Sequence, residues 1–132
     1  MVSTSGVHQL KELPGLVAML DGERAGLLTY SATDEGLEII TIDSLVENRG
    51  VGSALIDDVR RVVERAKTQR LWLVTTNDNL RALGFYQRRG FVLAALHRDA
   101  MDRVRAVKPE VPQVGRDGIP LRDMLELEIV LR

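Results

Sequence analysis

The sequence predicts an α/β fold in which a mixed β-sheet carries helices, and three observations predict it. Residues 16–46 hold runs of β-formers separated by turn signals. Residues 52–66 switch to helical periodicity, and strand and helix patterns then alternate as far as residue 96. At 132 residues the chain is long enough for one core, so a single domain spanning 1–132 is expected.

In chain order, the apolar run Leu16 to Leu20 is broken by Asp21-Gly22-Glu23 and resumes at Ala25 to Tyr30, which reads as a hairpin. A second turn at Thr33-Asp34-Glu35-Gly36 leads into Leu37 to Val46, rich in Ile, Leu and Thr and the best candidate for a central strand. From Gly52, residues Leu55, Val59, Val62, Val63 and Ala66 recur at helical spacing, with charged residues between them. Leu71 to Thr75 reads as a short buried strand. Asn77 or Asp78 is expected to cap a helix of about Asn79 to Arg89, and Gly90 suits a left-handed C-terminal cap. Phe91 to Leu96 and Met124 to Leu131 read as the last two strands. The long connection Arg98 to Arg122, with three prolines and a helical turn at Ala100 to Ala106, is long enough to suggest a substrate lid.

Composition narrows the function. A net charge of −1 gives no electrostatic footprint for nucleic acid. No apolar run approaches the roughly 20 residues that span a bilayer, and the first residues lack a secretion pattern. The expectation is therefore a cytoplasmic protein with neither nucleic-acid nor membrane partner. Cysteine is absent, which excludes thiolate catalysis and leaves His8 and His97 as the imidazoles; no metal site is expected.

The sharpest local signal is Glu47-Asn48-Arg49-Gly50-Val51-Gly52-Ser53-Ala54-Leu55, between the strongest strand and the strongest helix. Its glycines let the backbone approach a ligand, and the first N–H groups of a helix, at its positive dipole end, favour phosphate oxygens. The P-loop is excluded because no Gly-Lys-Ser/Thr follows, and the dinucleotide fingerprint because its third glycine would fall at Leu55. A second segment supplies the specificity: Asn79-Leu80-Arg81-Ala82-Leu83-Gly84-Phe85-Tyr86-Gln87-Arg88-Arg89-Gly90-Phe91.

Together the two segments resemble the GNAT acetyltransferases, whose loop runs Gln/Arg-x-x-Gly-x-Gly/Ala and whose later helix runs Asn-x-x-Ala-x-x-Phe-Tyr-x-x-x-Gly-Phe. The resemblance covers about Leu16 to Leu96, with Met124 to Leu131 fitting the last strand. It implies a GNAT-like acyl-CoA N-acyltransferase fold and acetyl-CoA as cosubstrate. Under it, Asn48, Arg49, Gly50, Val51, Gly52, Ser53 and Ala54 wrap the pyrophosphate. Leu45 and Val46 offer backbone groups to the pantetheine arm and thioester carbonyl, Asn79 contacts the pantetheine arm, and Tyr86 sits near the sulfur. An uncharged primary amine of a small molecule, peptide or protein would attack the thioester, and the leaving thiolate would take a proton from Tyr86. One departure is Glu47, where the family has Gln or Arg.

The bland reading of Tyr86 is a core tyrosine, and that of Trp72 a strand residue covering the sheet. Among acids, Asp43, Glu38 and Glu47 are nearest the expected thioester. By alternation Asp43 shares a face with Thr41, and Glu38 with Ile40, so at most one set faces the acceptor; each is expected to be an ordinary solvated carboxylate. His97 is a further candidate base. The family's opening strand and helices are abbreviated here, so one sheet face is expected to lack its cover, to be filled by a homodimer or by residues upstream of Met1. The second functional reading is a sensor or interaction module that holds acyl-CoA without turnover, and a purely structural adaptor is the third.

Overall fold

The computed structural model describes residues 2–3, 6–7, 13–45 and 49–131. Its elements are β1 (Val2–Ser3), β2 (Gly6–Val7), β3 (Gly15–Leu20), β4 (Glu23–Thr33), β5 (Gly36–Ser44), α1 (Val51–Arg65), β6 (Arg70–Thr76), α2 (Leu80–Arg88), β7 (Val92–His97), α3 (Ala100–Val107) and β8 (Met124–Val130). β1 and β2 pair as a small antiparallel ladder, and the other strands form a six-stranded sheet in the order β3-β4-β5-β6-β8-β7. The sheet is mixed: β3, β4 and β5 form an antiparallel meander, whereas α1 links the neighbours β5 and β6 as a crossover. By internal contacts the chain divides into two compact units, residues 9–72 with 130–132 and residues 1–8 with 73–129.

In the first unit, β3 and β4 are joined by Asp21 (φ 52°) and Gly22 (φ 81°), two left-handed residues whose twist suits a two-residue hairpin. α1 packs on β3, β4 and β5. Its buried residues Val51, Leu55, Ile56, Val59 and Val63 lie on one stripe, as the i, i+4, i+8 spacing requires. Leu28, Leu55, Val59 and Val63 are completely buried. Burying each of these side chains contributes about 1.5–3 kcal/mol. Trp72 is buried, as expected of a residue covering the sheet, with the Arg70 guanidinium 5.0 Å from its ring centroid.

Two expectations fail in this unit. Glu38 is 1% exposed, not solvated. Alternation also breaks in β5, because a bulge shifts the register between the Thr29↔Thr41 and Tyr30↔Ile39 pairs. Ser31 pairs with Glu38 and lies on the Thr29 face of β4, so Glu38 shares a face with Thr41 instead of opposing it. Thr29 and Thr41 confirm that face, their hydroxyls being 2.6 Å apart. Val17 and Leu27, opposite one another on β3 and β4, are 45% and 41% exposed, so part of a sheet face is bare in the described residues.

In the second unit, α2 packs on β7, and the C-terminal end of α2 is closed by Gly90 at φ 96°, as the sequence indicates. β7 pairs antiparallel with β8. The connection from β7 to β8 holds a full helix, α3, where the sequence showed one turn. Ala100, Met101, Val104 and Met124 form its buried cluster, with Val74, Val111 and Leu121 packed against it.

Candidate active site

At the end of β5, Leu45 is 70% exposed and its N–H donates to the Ala25 carbonyl at 2.8 Å. That amide is committed to β4, so the backbone group Leu45 has for a ligand is its carbonyl. Val46, Glu47 and Asn48 lie outside the described residues. Arg49 is exposed, and Gly50 forms the N-cap of α1 at φ 72°, ψ 14°, the left-handed conformation that glycine tolerates best.

The α1 hydrogen-bond ladder begins with Ala54 N–H to the Gly50 carbonyl at 3.0 Å. The amides of Val51 and Gly52 precede it, at the end of the helix that bears positive partial charge. No acid stands in this first turn. Gly52 and Ser53 are half-buried and Ala54 is exposed, while Val51 is buried and anchors the turn. A Cβ built on Gly50 meets nothing within 4 Å among the described residues. A helix start of this kind can hold an anion.

Gly26 in β4 makes this placement possible, and sequence reasoning missed it. A Cβ there would stand 2.6 Å from Val51 Cγ1 and 3.1 Å from Leu55 Cδ1, so the bare backbone lets the first turn of α1 seat directly on the strand. The legible signal was a glycine inside the apolar run Ala25 to Tyr30.

In the second unit, the expected caps Asn77 and Asp78 are replaced by Asn79, whose Oδ1 accepts the Ala82 N–H at 3.2 Å. Its Nδ2 reaches Thr75 Oγ1 at 3.4 Å. Asn77 and Asp78 instead fasten the long connection. Asn77 Oδ1 accepts the N–H groups of both Arg122 and Asp123 at 3.0 Å, and its Nδ2 donates to the Pro120 carbonyl at 2.9 Å. The buried Asp78 carboxylate accepts the Thr76 hydroxyl and the Arg116 N–H, and Gly115 lies so close that a side chain there would overlap it. Burial works to raise the Asp78 pKa, but these hydrogen bonds and the Arg116 charge hold it below the ordinary value.

Tyr86 is buried, packed edge-on between Phe85 and Phe91 with ring centroids at 5.3 and 5.5 Å. Its carbonyl accepts the N–H groups of Arg89 and Phe91, which fixes the turn below it. Asp43 is exposed. His97, half-buried at the end of β7, is bonded to Glu126 of β8, a partner that sequence reasoning did not find. Among the described residues no group of three or more His, Asp or Glu side chains could hold a metal ion.

A family model, the acetyltransferase (GNAT) family, matches residues 4–91. The chain is 42% identical over 124 residues to the uncharacterized protein YdhI of Bacillus subtilis (strain 168), covering 93% of this chain and 78% of that one. Two solved structures are similar to it. One is a Bacillus subtilis acetyltransferase in complex with CoA, at TM-score 0.79 and 23% identity, over 93% of this chain and 80% of the other. The second is a GNAT family acetyltransferase from Elizabethkingia anophelis with acetyl-CoA bound, at TM-score 0.77 and 24% identity, over 92% and 78%. At these identities the two structures show the shared fold. With the family model spanning most of its length, the chain belongs to the GNAT acetyltransferase family.

Proposed function

We propose that this acetyltransferase moves the acetyl group of acetyl-CoA to a primary amine by direct attack, within a single domain. The observation that carries the reading is the Gly50-capped start of α1, whose first turn holds no acid and whose cap has no described atom within 4 Å of a Cβ built on it. Its amides and Arg49 would hold the pyrophosphate, with Asn48 completing the loop. Leu45 and Val46 would meet the pantetheine arm through their backbone, and Asn79 would meet it while capping α2. That two structures of this fold hold CoA or acetyl-CoA supports the assignment.

In the proposed reaction the amine nitrogen forms a bond to the thioester carbonyl carbon, the C–S bond breaks, and Tyr86 gives its proton to the leaving thiolate. The aromatic packing of Tyr86 restricts its ring to one orientation, which such a transfer needs. The connection Arg98 to Arg122 would form a fixed wall of the acceptor site. The exposed pair Val17 and Leu27 supports a homodimer, which sedimentation checks. A cytoplasmic location accords with the cosubstrate, and cell fractionation checks it.

Calorimetric titration with acetyl-CoA and desulfo-CoA, followed by thiol release across a panel of amines, tests the function. Amine-dependent thiol release is the expected result. Y86F should bind desulfo-CoA within about twofold of the parent and lose at least about 10²-fold in kcat. Binding without turnover for any amine would assign the sensor reading instead, and no binding would refute the loop assignment.

A further inference from the structure

β7 stands last in the strand order, with β8 on one side and no described strand on the other. The outward N–H and C=O groups of such an edge are a template for a further strand. Edges that stay unpaired are commonly protected by a charge or a proline, and Val92-Leu93-Ala94-Ala95-Leu96 contains neither. All five residues are exposed, Val92 at 59%, Leu93 at 55% and Leu96 at 58%.

Regular alternation would send Leu93 and Leu96, three residues apart, to opposite faces. The register shift between Leu93 and Ala95 cancels that. Leu93 opposes Leu127 and Leu96 opposes Leu125, and two residues spaced in this way share a face of β8. The two leucines therefore stand on one face of β7, with the small residues Ala94 and Ala95 between them.

This segment matches a copy of itself. In an antiparallel pair centred between Ala94 and Ala95, each Leu93 stands opposite the partner's Leu96, and the two-fold axis gathers four leucines on one face. Charge selects the same orientation. Arg88 and Arg89 precede the strand, and Arg98 and Asp99 follow it. Antiparallel pairing sets the first two arginines beside a flank whose charges cancel, whereas parallel pairing would set them beside two more arginines. The contact is modest in area. Six residues span about 20 Å and a sheet layer is about 10 Å deep. A strip of that size falls below the roughly 800 Å² per partner of a standard interface, so pairing is reversible and depends on concentration.

We infer that β7 is the contact of the homodimer, pairing antiparallel with β7 of a second copy to continue the sheet across a two-fold axis; the inference rests on the homodimer reading above. Val17 and Leu27, on β3 and β4 at the other end of the strand order, lie outside this contact.

Sedimentation over a concentration series compares the parent with L93E, L96K and V17K. The parent and V17K should pass from one chain mass toward two as concentration rises. L93E and L96K should each raise the dimer Kd by at least about tenfold, because each carries a charge into an apolar contact. The thermal midpoint should hold, and desulfo-CoA affinity should stay within about twofold. Mixing L93E with L96K should recover the dimer, since the register sets the introduced acid of one copy opposite the introduced base of the other; mixing does not repair a folding defect. A dimeric parent whose Kd neither substitution changes overturns the inference and leaves the homodimer reading standing. Loss of the dimer in V17K alone does the same, placing the contact on β3 and β4, and a mixture that stays monomeric overturns the pairing of Leu93 with the partner's Leu96. A parent that is monomeric throughout the series overturns the inference and the homodimer reading together.

Discussion

Gly26→Ala tests whether the proposed pyrophosphate site depends on the bare backbone of β4. The added Cβ would meet Val51 Cγ1 at 2.6 Å and the Asp43 carbonyl oxygen at 2.8 Å, each inside the ordinary 3.4 Å contact. Restoring an ordinary distance to Val51 requires the first turn of α1 to lift by about 0.8 Å, while the Asp43 oxygen belongs to the strand and cannot rotate away. Overpacking of this kind costs about 1–3 kcal/mol. For a domain of this size that is a fall of about 4–12 °C in Tm. The same lift stretches an N–H···O contact of about 2.9 Å beyond hydrogen-bonding distance. Losing one charge-assisted bond of about 1.5–3 kcal/mol weakens desulfo-CoA binding by about 10- to 10²-fold.

Thermal unfolding and calorimetric titration read both effects. Gly50→Ala provides the contrast, since among the described residues its Cβ meets nothing within 4 Å, and the φ of 72° is the strain. It should cost about 1–2 kcal/mol through the backbone alone. A Gly26→Ala protein that melts and binds like its parent would refute the reasoning.

The other predictions concern the second unit. Asp78 and Asp123 have folded pKa values below their ordinary 3.8, Asp123 chiefly through the hydrogen bond from Arg122. Their contribution to stability is therefore complete above the unfolded value and is lost as pH falls through the lower folded values. Denaturant midpoints measured on descending pH should fall below about pH 4, and D78N should flatten part of that fall. N79A should lose the cap of α2, about 0.5–2 kcal/mol in denaturant unfolding, whereas N79S should keep the cap; a rise in acetyl-CoA Kd in both variants would separate cofactor contact from capping. Gly115→Ala should collide with the Asp78 carboxylate and lower the thermal midpoint, with parental stability refuting the contact.

Much of the fold was legible because the period of the apolar residues changes at each turn. Strands β3 to β8 and helices α1 and α2 fall within a few residues of their expected bounds, since glycines and Asx residues mark the ends. The glycine-rich turn was visible for the same reason, its residue types serving a local backbone geometry. Long-range partners were not. Asn77, like Asp78, has the residue type of a local cap, yet its side chain reaches Arg122, 45 residues along the chain, and no local preference encodes that pairing. The charge of Glu38 predicts a solvated residue, but it is buried, and a one-residue bulge in β5 places it on another face than alternation gives. The bond between His97 and Glu126 is not legible because strand alternation alone cannot say which acid His97 meets.

The fastening of the long connection has a consequence for how freely it can change. Asn77 grips Pro120, Arg122 and Asp123, and Asp78 grips Arg116, while Arg105 of α3 holds the carbonyls of Pro112 and Leu121. The connection is thereby divided into short closed arcs. Closure entropy rises only with the logarithm of length, about 0.6 kcal/mol per doubling. Residues inserted between the grips would therefore cost little, whereas replacing Asn77 would merge several arcs at once. Length variation in this protein is best accommodated at the exposed tip Asp117-Gly118, with the ends held in place.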